Sequence, residues 1–151
     1  MGIKIIVENK KARHDYHILE NYEAGIVLMG SEVKSLRQGQ CNLKDSYVSF
    51  VGDEIFLQKA HISPYTASSY NNHNPERLRK LLLSRSEINK IHTAMSEKGL
   101  TCIPLKMYFS KGRVKVDIAL AKGKNKGDKR ADIKKRDVNR EMRRALRHEK
   151  K

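Results

Sequence analysis

Tryptophan is absent from this chain of 151 residues, and only two cysteines and three prolines occur. Cys41 and Cys102 are too few for a disulfide scaffold. Neither has a second cysteine at metal-binding spacing, so two reduced thiols are expected rather than a zinc site. No apolar run approaches the ~20 residues that span a bilayer. The first eleven residues contain Ile3, Ile5, Ile6 and Val7 but no long apolar core and no small-residue cleavage site, which argues against a secretory leader. A cytoplasmic, membrane-free protein is expected. Gly-x-Ser-x-Gly, phosphate-cradling and His-Glu-x-x-His sequences are all missing. The six histidines are scattered. His14 and His17 lie three apart, and on a strand they would face opposite sides, a poor arrangement for a metal. No convergent acid, base or nucleophile set can be assembled, so neither enzymatic activity nor a cofactor is expected.

Acidic residues are also scarce. Against 32 Lys and Arg stand 17 Asp and Glu, a net charge of +15. Such an excess strains a compact fold by self-repulsion and favours polyanionic partners, nucleic acid first among them. A membrane surface would require an amphipathic anchor, which is not found outside the C-terminal segment. The 38% hydrophobic content is enough for one small core, and the length suits one domain rather than two.

The charge is unevenly spread. Residues 122–151 hold 14 Lys/Arg and 5 Asp/Glu, a net +9, leaving +6 for residues 1–121. The border falls in Ala121-Lys122-Gly123-Lys124-Asn125-Lys126-Gly127, small and charged residues that predict a flexible hinge. A body over 1–121 and a basic tail over 122–151 follow.

The body is β-rich by pattern. Residues 46–61 predict a hairpin turning at Gly52-Asp53. A second hairpin over 101–121 turns at Ser110-Lys111-Gly112, with Leu105, Met107 and Phe109 expected on one face. After the turn Val114, Val116, Ile118 and Leu120 alternate with Arg113, Lys115 and Asp117. Residues 16–19 and 25–29 predict two further strands, making about six. Helices are expected over 32–37 before Gly39, from Asn74-Pro75-Glu76, and after Ser84-Arg85-Ser86-Glu87, a capping-box sequence followed by Ile88, Ile91 and Met95. Two or three short helices among antiparallel strands suit a small closed barrel of the OB type, mainly β, although periodicity does not fix strand order.

Three groups are candidates for RNA contact. Arg113 and Lys115, with Lys111 beside them, repeat at period 2 and so point together; the same pattern also describes an ordinary solvated strand face. Asn9-Lys10-Lys11-Ala12-Arg13-His14 is a basic cluster of the kind found in unstructured arms. Tyr16, Tyr22, Tyr65 and Tyr70 could stack on unpaired bases, or simply pack. In the tail, Ile133, Val138, Met142 and Ala145/Leu146 form a thin apolar stripe among arginines. Alone in water such a helix is marginal, so a tail disordered in the free protein that becomes helical against RNA is expected.

Several stretches together resemble a known family. They are Asn9-Lys10-Lys11-Ala12-Arg13-His14-Asp15-Tyr16, Glu23-Ala24-Gly25-Ile26, Gly30-Ser31-Glu32-Val33-Lys34-Ser35-Leu36-Arg37, Asp45-Ser46-Tyr47-Val48, Arg79-Lys80-Leu81-Leu82-Leu83, Ala121-Lys122-Gly123-Lys124 and Asp128-Lys129-Arg130-Ala131-Asp132-Ile133-Lys134. In order and spacing they are similar to the SmpB family of SsrA-binding proteins over nearly the whole chain. The resemblance implies an OB-fold body and a tail disordered when free. It implies binding to the tRNA-like part of transfer-messenger RNA and delivery of that RNA to stalled ribosomes, in trans-translation. The body would stand in for a missing anticodon arm, and the tail would probe the small subunit's decoding site and empty messenger channel.

By position, the resemblance implicates Asn9, Glu23, Lys115, Lys122, Lys124 and Leu82 in RNA binding. To these the basic pattern adds Lys10, Arg13, Lys111 and Arg113. In the tail, Asp128, Lys129, Arg130, Ile133, Lys134, Lys135, Arg136, Met142 and Arg143 are expected to meet the ribosome. A monomer is expected when free. Two positions depart from the family pattern: Ser84 stands where Asn is frequent, and Val138 follows Asp137 where many members carry Trp. Other readings of the composition are a ribosomal or general RNA-chaperone protein and, more distantly, an RNA-modifying enzyme.

Overall fold

The computed structural model describes residues 3–65 and 72–124. The expected contacts of the tail, from Asp128 to Arg143, and Tyr70 lie outside the described residues.

Nine strands and three helices occur among the described residues. In chain order these are β1 (Lys4–Glu8), α1 (Lys10–Asp15), β2 (Tyr16–Ile26), α2 (Gly30–Arg37), β3 (Cys41–Asn42), β4 (Tyr47–Val51), β5 (Glu54–Gln58), β6 (His61–Ile62), β7 (Arg79–Leu82), α3 (Arg85–Glu97), β8 (Thr101–Ser110) and β9 (Arg113–Gly123). Seven strands pair antiparallel in the order β1-β8-β9-β2-β7-β5-β4, and β3 pairs with β6. The architecture is therefore mainly β with three helices, and β1 and β4 end the seven-strand order without pairing to each other among the described residues.

Both expected hairpins form. The β8–β9 turn places Lys111 and Gly112 at φ 52° and 75°, a left-handed pair that matches the twist of the strands it joins. Beyond the turn, Val114, Val116, Ile118 and Leu120 are buried while Arg113 is exposed, as alternation requires.

Several local expectations need correction. Residues 16–19 and 25–29 are not two strands. β2 runs unbroken from Tyr16 to Ile26 and absorbs Leu19 as a bulge, which lets one strand follow β9 along its full length. Leu105 does not share a face with Met107. A bulge between Pro104 and Lys106 switches the parity of β8, so Ile103 and Leu105 point to one side and Met107 to the other. Asn74-Pro75-Glu76 starts no helix. Asn74 Oδ1 accepts from the Glu76 N–H at 3.0 Å and the Asn74 carbonyl accepts from the Arg77 N–H at 3.1 Å, a turn that uses the same residues a helix cap would. The basic cluster after Asn9 is no loose arm but helix α1. Ala121, Lys122 and Gly123, expected to open a hinge, instead continue β9, paired with Ile18, His17 and Tyr16, and residues 125–127 of that stretch lie outside the described residues.

The main core gathers Val48, Ile55, Leu57, Leu81, Met107, Val116 and Ile118 from the sheet, with Leu36 of α2 and Ile91 of α3. Helix α3 starts on the predicted capping box. Ser84 Oγ accepts from the Glu87 N–H at 3.2 Å, and Glu87 Oε1 accepts from the Ser84 N–H at 3.2 Å. A polar knot lies within the core. Glu32 and Arg79 are fully buried and ion-paired; Arg77 Nη2 donates to Glu32 Oε1 at 2.6 Å, and Arg79 also donates to the Ala60 and Pro75 carbonyls at 2.7 and 3.0 Å. One carboxylate thus bridges two guanidiniums, with backbone carbonyls taking further Arg79 donors, and a pair that would otherwise be costly ties α2 to β7.

A second, smaller cluster sits on the opposite face of β8 and β9. Ala12 of α1 closes over Ile103, Leu105, Ala119 and Ala121, with Tyr16 and Ile18 at its margin. The small side chains at 119 and 121 are what allow a helix to lie directly on the strand.

Candidate nucleic-acid interface

The face that carries α1 also carries the charged stripe of β9. Positions 113, 115, 117, 119 and 121 share one side of that strand. Its first part, Arg113-Lys115-Asp117, stays open, and its last part is roofed by α1.

Across the sheet, one row runs Leu82–Gly25–Lys115–Tyr108–Ile5 from β7 to β1, and the next places Glu23 opposite Asp117 and Asp117 opposite Lys106. Three residues that the sequence resemblance implicates, Glu23, Leu82 and Lys115, therefore meet on one surface although they lie far apart in the chain. Leu82 is 52% exposed. It lies across Gly25, where an added Cβ would stand 3.2 Å from the Leu82 Cβ. Glycine at 25 lets the leucine lie flat beside Lys115. Arg113 and Lys111 extend the surface to the hairpin tip, both exposed.

The electrostatics of this surface are mixed. Lys106 and Lys115 flank the carboxylates of Glu23 and Asp117, and Asn21 Nδ2 donates to both Asp117 oxygens, at 3.2 and 3.4 Å. Facing carboxylates repel each other, and the adjoining cations and amide relieve that. The Tyr108 hydroxyl donates to Glu23 Oε2, and Lys106 Nζ lies 5.6 Å from the centre of the Tyr108 ring. Burial, reinforced by the Glu23 carboxylate, holds the Tyr108 phenol far above its ordinary pKa.

A second group surrounds α1. Lys10 and Arg13 are exposed and, together with Glu8, Asn9, Leu105 and Lys106, line a hollow of about 230 Å³. Lys124 Nζ donates to the Arg13 carbonyl at 3.2 Å and the Lys124 N–H to the Asp15 carbonyl at 2.8 Å, where the exposed carbonyls at a helix end favour a cation. Lys122 is exposed on β9 opposite His17, but alternation turns it to the other side of the strand from Lys115 and α1, so the structure does not bring it onto this face. Lys106 belongs to both groups and joins them into one basic surface. Asn9 has a structural duty besides any contact: its Nδ2 donates to the Pro104 carbonyl at 3.0 Å and its N–H to the Leu105 carbonyl at 2.7 Å, pinning the start of α1 to the β8 bulge.

Sequence reasoning missed Lys106 and Tyr108. Their signal was the parity of β8, concealed by the bulge before Lys106. The tyrosines it favoured mostly serve packing: Tyr22 is buried in the main core and Tyr16 lies against the second. His14 belongs to α1 and His17 to β2. Among the described residues no group of three or more His, Cys, Asp or Glu could hold a metal ion, and no helix is long and apolar enough to cross a membrane.

Comparison with known proteins bears on this surface. The family model described as SmpB protein matches residues 6–148. A curated SsrA-binding protein of Bdellovibrio bacteriovorus is 62% identical over 97% of this chain and 96% of its own length. One of Syntrophobacter fumaroxidans is 60% identical over 92% of this chain and 86% of its own length. A chain from a solved structure described as "tmRNA-SmpB: a journey to the center of the bacterial ribosome" is 48% identical, with a TM-score of 0.67 over 80% of this chain and 85% of that chain.

Proposed function

Because this chain belongs to the SmpB family, we propose that the surface joining Lys115, Glu23, Leu82 and α1 grips the tRNA-like part of transfer-messenger RNA and carries it to stalled ribosomes for trans-translation. The observation that carries this reading is the convergence of Glu23, Leu82 and Lys115 on one open face, next to Lys10, Arg13 and Lys124. The relatives' description as SsrA-binding proteins and the tmRNA-SmpB ribosome complex support the partner and its destination. The cations follow phosphates. The exposed leucine offers an apolar platform for a base or ribose, and the carboxylate accepts from amino or hydroxyl groups that phosphates do not present. Affinity thus comes from charge and selectivity from Glu23 and Leu82. The protein acts as a cytoplasmic binder rather than a catalyst, and no resident cofactor takes part.

The same reading includes an OB-type barrel. Both ends of the strand order support it: Val48 of β4 and Met107 of β8, beside which Val7 of β1 packs, belong to one core. A sheet whose two ends share a core is curled toward closure. The basic tail from Asp128 onward is proposed to follow ribosomal RNA through the messenger channel.

The test is affinity for transfer-messenger RNA against a competitor RNA of equal length at about 150 mM salt, where charge-only binding is weakened. A strong preference is expected. Equal affinity for the two RNAs would favour a general RNA chaperone instead.

A further inference from the structure

Glu23 stands on an exposed strand position, yet it does not hang free. The Tyr108 hydroxyl donates to its Oε2, while among the described residues no hydrogen bond engages Oε1. The tyrosine itself is only 4% exposed. Its ring is wedged in the row between Ile5 and Lys115 and lies under the Lys106 ammonium. The ring has nowhere to turn, so its hydroxyl is a fixed point on an otherwise open surface. A glutamate on a strand ordinarily samples several rotamers about three bonds; one oxygen bound to a fixed phenol removes most of that freedom.

We propose that Tyr108 is the positioning residue of the RNA site, holding the Glu23 carboxylate so that Oε1 alone faces the RNA and accepts from a base amino group or ribose hydroxyl. The inference rests on the proposed RNA-binding reading and deepens it. A freely rotating carboxylate beside Lys106 and Lys115 would swing onto one of those ammonium groups, neutralising a phosphate contact and losing its own directional one. Clamped by Tyr108, it stays an acceptor of defined direction while the two lysines remain available to phosphates. An acidic side chain in a basic surface then serves recognition without cancelling affinity.

The experiment uses the full-length protein and compares wild type, Tyr108→Phe, Glu23→Ala and the double variant. Each is measured for affinity to transfer-messenger RNA and to an equal-length competitor across a series of salt concentrations. Phenylalanine keeps the ring and removes the hydroxyl, and thermal unfolding of each variant registers any loss of packing. Tyr108→Phe is expected to reduce discrimination about tenfold, as a lost charge-assisted hydrogen bond does. The slope of affinity on salt should fall by up to about one unit in Tyr108→Phe but not in Glu23→Ala, because only a released carboxylate can occupy a lysine that would otherwise meet a phosphate. Added to Glu23→Ala, it should reduce discrimination no further, because the tyrosine acts through that carboxylate. Full discrimination in Tyr108→Phe would overturn the proposal, and so would losses that simply add in the double variant. An equal loss for both RNAs together with a lowered unfolding midpoint would assign Tyr108 to packing alone and likewise overturn it. If wild type shows no preference between the RNAs, it is the proposed function that fails, an outcome distinct from all of these.

Discussion

Lys115 owes its place in the proposed RNA surface to its neighbours in the strand. Val114 and Val116 are buried on either side of it, so its side chain is directed outward and contributes charge with little packing. Lys115→Ala is therefore expected to leave the unfolding midpoint nearly unchanged while weakening RNA binding. One lost phosphate contact should lower the salt slope by about one unit, measured by affinity across a salt series. Glu32 is the opposite kind of charge. Burial by itself would raise its pKa, but the Arg77 guanidinium, the Met29 N–H and Arg79 outweigh burial and hold the carboxyl below its ordinary value. A depressed folded-state value means that this group's stabilisation is complete above the unfolded carboxylate pKa, near 4.5. It is lost as pH falls through the lower, folded value. Glu32→Gln should flatten the decline of stability in that acid range, followed by denaturant unfolding between about pH 6 and pH 2. It should also cost roughly 3–5 kcal/mol at neutral pH, because two arginines lose their counter-charge in a buried place.

Elements differ in how much of themselves the sequence displays. The β8–β9 hairpin was legible because a period of two and a Lys-Gly turn are both local signals. Helix α3 was legible because Ser84 and Glu87 satisfy each other's backbone groups within one turn, and Ser84→Ala should cost about 1 kcal/mol in unfolding free energy, read from denaturant melts. A loss below about 0.2 kcal/mol would show that the Glu87 half of the box alone secures the helix start. Helix α1 was hidden because it buries little besides Ala12, so no apolar period marks it; only the Ala119 and Ala121 platform, remote in sequence, makes it a helix. The turn at Asn74-Pro75 was misread because an Asn followed by Pro serves a β-turn as well as a helix start. The parity switch at Leu105 is likewise a matter of partner strands, since β9 and β1 decide which residue is squeezed out. That is also why the site was only half visible: Lys115 announces itself by alternation, whereas Lys106 and Tyr108 reach the same surface through a bulge.

At the scale of the whole molecule, the proposed function divides the chain's positive charge between two tasks, one for residues 1–121 and one for the basic segment after them. Residues 128–151 carry 11 Lys/Arg and 5 Asp/Glu, and the proposed surface is built from Lys115, Glu23 and α1 within the described residues. Ending the chain after Gly127 should therefore leave affinity for transfer-messenger RNA within a few-fold of the full protein and abolish peptide tagging on ribosomes that lack messenger beyond the decoding site. A collapse of affinity would make the tail part of the RNA-binding site. Persistent tagging would reduce it to a solubilising segment.

β9 has a mechanical consequence. From Lys115 to Lys124 the chain is already drawn out, nine residues at ~3.3 Å each or ~30 Å in all. It is hydrogen-bonded to β8 on one side and to β2 on the other. A helix or loop in this position would stretch under load before passing it on; an extended strand has no slack. Tension applied where the chain leaves at Lys124 runs along the strand axis and loads both ladders in shear, with many bonds sharing the force at once. The strand thus behaves as a stiff rod between Lys115, in the proposed RNA surface, and Lys124, and a pull felt at Lys124 reaches Lys115 without the distance between them changing.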